Sequence, residues 1–177
     1  NILQHMSGVA TATNKLVEAC AGTKASIVDT RKTLPGLRAL EKYAVTAGGG
    51  RNHRYNLSDA AMLKDNHIDA AGGIRPAVEK LRKSLGHTVK IEVEARNLCE
   101  VGQAVEAGAD IIMLDNMDCE TMRQAVELVA GRTMTEASGG ITSETLGSVA
   151  QTGVDIISIG ALTHSVKALD ISLKIVK

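Results

Sequence analysis

The chain has 177 residues, which at roughly 100 to 200 residues per domain makes one domain with one core. Apolar residues make up 44% and charged residues 23%, with two prolines, so disordered and collagen-like classes are excluded. Twenty Lys and Arg balance twenty Asp and Glu, and Tyr43 and Tyr55 are the only aromatics; neither a global basic field nor a stacking platform exists, and no nucleic acid partner is expected.

Residues 2 to 21 read as an amphipathic helix ended by Gly22, with Ile2, Leu3, Met6, Val9 and Ala10 on one side. That pattern starts immediately at Asn1, which reads as a cut start. Apolar strands are then centred near Ile27, Leu63, Ile91, Ile112, Met134 and Ile157, with a helical segment before or after each. The last five centres fall 28, 21, 22 and 23 residues apart, the span of a βα unit, which predicts a parallel sheet with right-handed crossovers. The runs over 110–114 and 154–159 are nearly continuously apolar, as burial of both sheet faces requires. A closed eight-unit barrel needs about 250 residues. Six strands therefore predict an α/β fold of the open or incomplete (β/α) barrel type, TIM-like, as a single catalytic domain over residues 1–177. A doubly wound sheet competes, although its Gly-x-Gly-x-x-Gly fingerprint is absent.

Cys20, Cys99 and Cys119 are odd in number and form no Cys-x-x-Cys, which fits a reducing cytoplasm better than a disulfide framework or zinc knuckle. No apolar run reaches the roughly 18 residues of a membrane span, and no basic-then-apolar leader opens the chain, so no membrane partner is expected.

The chemistry collects just past the C-terminal ends of the strands, the active face of parallel βα architectures. Asp29-Thr-Arg-Lys-Thr33 and Pro35-Gly-Leu-Arg38 follow the first strand; His53-Arg54 precede the second and Lys64-Asp-Asn-His67 end it. The later strands end in Glu92-Val-Glu94, Asp115-Asn116, Glu136-Ala-Ser-Gly-Gly140 and Ser158-Ile-Gly-Ala161. A neutral chain that gathers Arg31, Lys32, His53, Arg54 and Lys64 at one mouth suits a small, strongly anionic substrate. Glu94 and Asp115 beside such cations fit Mg²⁺ held through carboxylates and substrate oxygens. The turn at Ser138, Gly139 and Gly140, and Gly160 with Ala161, leave backbone N–H groups free for a phosphate. Taken singly, each motif is usually bland: an Arg-Lys pair is a solvated pair, and Ser-Gly-Gly is a turn. Glu92 and Glu94 share a strand face, so both could point inward or one could merely pair with a lysine. His5, His87 and His164 show no partner spacing and read as structural or surface residues. Coincidence at six strand ends favours function.

These strings, with Gly48-Gly-Gly50, Leu114-Asp-Asn116 and Gly160-Ala-Leu-Thr-His-Ser165, resemble in their order the quinolinate phosphoribosyltransferases, or carboxylating nicotinate-nucleotide pyrophosphorylases, over essentially the whole chain. The resemblance implies a pentosyltransferase of de novo NAD synthesis that uses Mg²⁺ and joins quinolinate to phosphoribosyl pyrophosphate, releasing pyrophosphate and CO₂. It implies that Thr30, Arg31, His53, Arg54 and Lys64 bind substrate, mainly the two quinolinate carboxylates, with Lys32 shared with the phosphoribosyl side. Glu94 and Asp115 would hold the ribose hydroxyls and the metal and, with Lys64, form the catalytic set. Ser138, Gly139, Gly140, Gly160 and Ala161 would cradle the 5′-phosphate. It further implies a homodimer with sites at the subunit interface and an N-terminal α/β domain ahead of Asn1. If the molecule is this short, activity is expected to be lost or severely impaired and the surfaces meant for that domain exposed. Two other readings are a related phosphoribosyltransferase for another small acid, as among molybdenum-transport-associated relatives, and a non-catalytic phosphate-binding module.

Overall fold

The computed structural model describes residues 1–175. In chain order its elements are α1 (Ile2–Ala19), β1 (Ser26–Val28), α2 (Arg38–Ala47), β2 (Ala61–Leu63), α3 (Asp65–Ala71), α4 (Ile74–Ser84), β3 (Ile91–Ala95), α5 (Leu98–Glu106), β4 (Ile111–Asp115), α6 (Cys119–Val129), β5 (Met134–Ser138), α7 (Ser143–Ala150), β6 (Ile156–Ser158) and α8 (Ala161–His164). Every strand contains or starts at a predicted centre. Helix starts follow local chemistry: Asn97 and Asp118 accept the backbone N–H groups of Glu100 and Thr121 at the heads of α5 and α6. Asn97→Ala is expected to cost about 1 kcal/mol, read from the urea midpoint at unchanged slope.

All strand pairs are parallel, and the sheet runs β1-β6-β5-β4-β3-β2. A doubly wound sheet reverses direction at an inner strand. Here β2 to β6 neighbour one another in sequence order and β1 returns beside β6, which is the cyclic order of a barrel left open between β1 and β2. Arg51 forms a single parallel bridge to Val28 on the free edge of β1, with its N–H donating to Ile27 O (2.8 Å) and the Asp29 N–H donating to Arg51 O (3.2 Å). The segment that follows, carrying His53 and Arg54, is thereby led from the open edge to the rim.

Alternation along the strands separates two environments. Ile91, Val93, Ala95, Ile112, Leu114, Ala137 and Ile157 are fully buried and belong to the main apolar core. Their neighbours Glu92, Glu94, Met113, Asp115, Glu136 and Ser138 occupy the opposite, interior face. Glu92 and Glu136 are each 1% exposed. This qualifies the reading of strands buried between two apolar layers: it suits β6 and the body of β4, whereas β3 and β5 bury carboxylates inside the barrel. Among the described residues, no helix is long and apolar enough to cross a membrane.

Candidate functional site

A cavity of about 450 Å³ opens at the C-terminal ends of the strands. Thr30, Arg31, Lys32, His53, Arg54, Lys64, Glu94, Asp115, Ser138, Gly139 and Gly140 all line it. Gly160 and Ala161 do not. Ala161 lines a separate apolar groove beside α1, and Gly160 lies next to Lys32, whose Cδ is 3.6 Å from where a Cβ would sit. The last loop therefore approaches the site through Lys32: Thr163 Oγ1 donates to Lys32 O at 2.7 Å.

Strand ends set the charge pattern. Lys64 Nζ donates to Glu94 Oε2 at 2.5 Å, so an acid and a cation assigned to different ligand groups begin as a pair. Of the two glutamates on β3, Glu94 is the one that meets a lysine, while Glu92 lies deeper and faces His53. Arg54 donates to Ala60 O (2.9 Å) and Met62 Sδ (3.4 Å), which places its guanidinium at the start of β2. Burial lowers its pKa, with Glu92 opposing and Arg31 reinforcing the shift. Arg31 Nε is buried without a partner, a free donor beside the cavity. On the other wall the Asn116 Nδ2 donates to Asp115 Oδ2 at 3.0 Å. Asn116 has φ 53°, a left-handed conformation that Asn tolerates better than most residues. Its N–H donates to Ser138 O (2.9 Å), and its side chain lies against Gly139.

Beneath the mouth, His53 Nε2 stands 3.4 Å from both Glu92 Oε2 and Glu136 Oε2. Among the described residues this trio is the one cluster of three side chains that could ligate a metal, its atoms within 4.8 Å of one another. The two carboxylates argue against a cation there, because both lie 3.4 Å from Nε2 and hold a proton on the atom a metal would need. The trio is better read as a buried ionic hydrogen-bond cluster. Burial works against an imidazolium, yet the Glu136 and Glu92 carboxylates outweigh it and raise the His53 pKa to about 10. Burial raises the Glu92 pKa, opposed by His53 and reinforced by Glu136.

Met62, Met113, Asn116, Glu136 and Ser158 also line the cavity. Two-residue spacing from Lys64, Asp115 and Ser138 was the available signal for Met62, Met113 and Glu136; Asn116 and Ser158 lay in the rim strings without an assigned role.

The family described as quinolinate phosphoribosyl transferase, C-terminal domain, matches residues 9–174. The chain belongs to this family. It is 51% identical over 175 residues to a probable carboxylating nicotinate-nucleotide pyrophosphorylase of Bacillus subtilis, covering 99% of this chain and 61% of the relative. It is 50% identical over 193 residues to the chloroplastic carboxylating nicotinate-nucleotide pyrophosphorylase of Arabidopsis thaliana, covering 99% of this chain and 55% of that protein. The crystal structure of NadC from Streptococcus pyogenes superposes with TM-score 0.95 at 49% identity, covering 98% of this chain and 61% of that one. The chain thus spans between half and two thirds of these relatives.

Proposed function

We propose that this chain forms the catalytic barrel of a quinolinate phosphoribosyltransferase, the pentosyltransferase that converts quinolinate and phosphoribosyl pyrophosphate into nicotinate mononucleotide, pyrophosphate and CO₂ in de novo NAD synthesis. The observation that carries this reading is the single cavity in which Arg31, Lys32, Arg54 and Lys64 face Glu94, Asp115 and the Ser138-Gly139-Gly140 turn. The cations suit a ring with two adjacent carboxylates, and the unpartnered Arg31 Nε offers a donor ready for one of them. The 5′-phosphate would lie at the glycine turn ahead of α7. Lys64 would exchange Glu94 for a substrate carboxylate, freeing Glu94 to face the ribose.

Attack of the pyridine nitrogen on the anomeric carbon breaks its bond to pyrophosphate, and positive charge develops on the ribosyl carbon. Glu94 and Asp115 would stabilise that charge electrostatically. The ring nitrogen, now bonded to carbon, is cationic; the electron pair left when the adjacent carboxylate departs as CO₂ is stabilised beside it and takes up a proton. Positioning and charge suffice, with no covalent nucleophile. Glu94 and Asp115 are oxygen donors on adjacent strands lining one cavity, a set that fits Mg²⁺ shared with substrate oxygens. When bound, the ion would neutralise the departing pyrophosphate.

We also propose that the working protein is a homodimer whose site is completed at the subunit interface, with an N-terminal α/β domain. Exposed Ile2, Leu3, Tyr43 and Leu57 support apolar partners for this barrel. Its three free cysteines support a cytoplasmic setting. Titration with quinolinate tests the assignment. Arg54→Ala should weaken quinolinate binding by at least about tenfold with phosphoribosyl pyrophosphate binding retained. Normal binding of phosphoribosyl pyrophosphate without any quinolinate binding would favour a relative acting on another acid.

A further inference from the structure

Helix α2 carries Arg38, Glu41 and Lys42 on one side, at i, i+3 and i+4. Glu41 is 0% and Lys42 2% exposed. Buried charges are costly unless paired, and none of the three lines the cavity, so their partners explain their presence. Lys42 Nζ donates to Asp29 Oδ1 (2.5 Å) and to His53 O (2.9 Å), while Asp29 Oδ1 accepts the His53 N–H (2.8 Å). The two charges together grip both backbone groups of His53. Asn52, its amide oriented by its partners, donates to Asp29 Oδ2 (2.7 Å) and Lys42 O (2.9 Å). Glu41 Oε2 accepts the Leu34 N–H (3.1 Å), and its other oxygen meets His5 Nε2 of α1 (2.8 Å).

Arg38 spans both loops. Its Nε donates to Thr33 Oγ1 (3.1 Å), Nη2 to Arg31 O (3.1 Å) and Nη1 to Tyr55 O (3.2 Å). Arg31 and Lys32 therefore stand on a loop anchored at residues 29, 31, 33 and 34, and Arg54 stands between anchors at 53 and 55. These loops are tied at their bases by the Arg51–Val28 bridge, and beyond it no β1–β2 pairing fixes their separation.

We propose that Arg38 and the Lys42–Asp29 pair are positioning residues that set the spacing of the two cationic loops, so that discrimination for two adjacent carboxylates resides partly on α2. This rests on the functional reading above. Arg38 is the sharper probe because lysine keeps its charge but cannot reproduce a three-way fork.

The test compares the wild-type protein with Arg38→Lys and Arg38→Gln, adding Lys42→Met to probe the buried pair. Arg38→Lys should raise hydrogen exchange in segments 29–34 and 52–55 with the unfolding midpoint lowered by no more than a few degrees. Quinolinate affinity should fall by about tenfold to a hundredfold, with phosphoribosyl pyrophosphate affinity within about twofold, as for a misplaced rather than a missing contact. Preference for quinolinate over nicotinate, which has one carboxylate, should shrink by a similar factor. Unchanged exchange and preference in Arg38→Lys would overturn the proposal; so would equal loss of both substrates in step with loss of folded protein, the mark of a merely structural helix. Wild-type protein that binds phosphoribosyl pyrophosphate but no quinolinate would overturn the functional reading instead, and the exchange measurement would still show whether α2 holds the loops.

Discussion

Gly139→Ala is expected to lower affinity for phosphoribosyl pyrophosphate by at least about tenfold while leaving quinolinate affinity nearly unchanged. Gly139 has φ +97°, a conformation that costs a residue with a Cβ about 1 to 2 kcal/mol. An added Cβ would also lie 2.2 Å from Asn116 Oδ1 and 2.5 Å from Asn116 Cγ, so the amide must move. Asn116 cannot withdraw freely, because its own backbone is left-handed and its Nδ2 holds Asp115. Crowding at the phosphate turn thereby reaches the acid assigned to the ribose and metal. Asn116→Ala in the same chain removes the obstructing amide and should recover part of the phosphate affinity, though not the Asp115 contact. Calorimetric titration of the single and double variants measures both effects. Full phosphoribosyl pyrophosphate affinity in Gly139→Ala would show that the turn is not the cradle.

His53→Ala is expected to destabilise the protein by about 3 kcal/mol at neutral pH, the scale of breaking a buried charge pair. Glu92 and Glu136 would then face each other in the barrel without their shared donor, and each already has an Oε1 with no hydrogen-bond partner. The same cluster gives the wild type an alkaline signature. The folded pKa of His53, about 10, lies above its value of roughly 6.5 in the unfolded chain, so the folded state holds the proton more tightly. Its contribution is fully present below pH ~6.5 and is lost as pH rises through about 10. Urea unfolding from pH 6 to 10 should show stability declining in the wild type and a flatter profile in His53→Ala. Equal slopes in both proteins would sink this account. His53 Nε2 points down to these acids, so Arg31 and Arg54 are proposed as the first partners of a substrate anion.

Several parts of the site were legible before any coordinates. Arg31, Lys64, Glu94 and Asp115 each lie at or shortly after the C-terminal end of a strand, where a parallel βα unit delivers its side chains to one rim, so position along the strand was enough to place them; Arg54, in the loop ahead of β2, was not placed that way. Gly160 and Ala161 have surroundings that strand-end position does not reveal. Gly160 lies against Lys32 at the edge of the site, while the path of the chain into α8 brings Ala161 to the groove beside α1. The buried charges were less legible still. Glu41 and Lys42 drew no reading and Asp29 only a place in a rim string, because their partners are 7 to 36 residues away in the chain and no local spacing connects them.

The sequence by itself determined the order of the elements, the strand positions and the kinds of charge at each strand end, since apolar periodicity, caps and turn residues act over a few neighbours. Tertiary structure alone decided that β1 returns beside β6 and leaves the barrel open toward β2, that residues 51–54 run from that opening to the rim, and which carboxylates are buried with a cation. Those outcomes depend on edge pairing and on desolvated charges finding partners across the fold, and both are settled only when distant segments pack together.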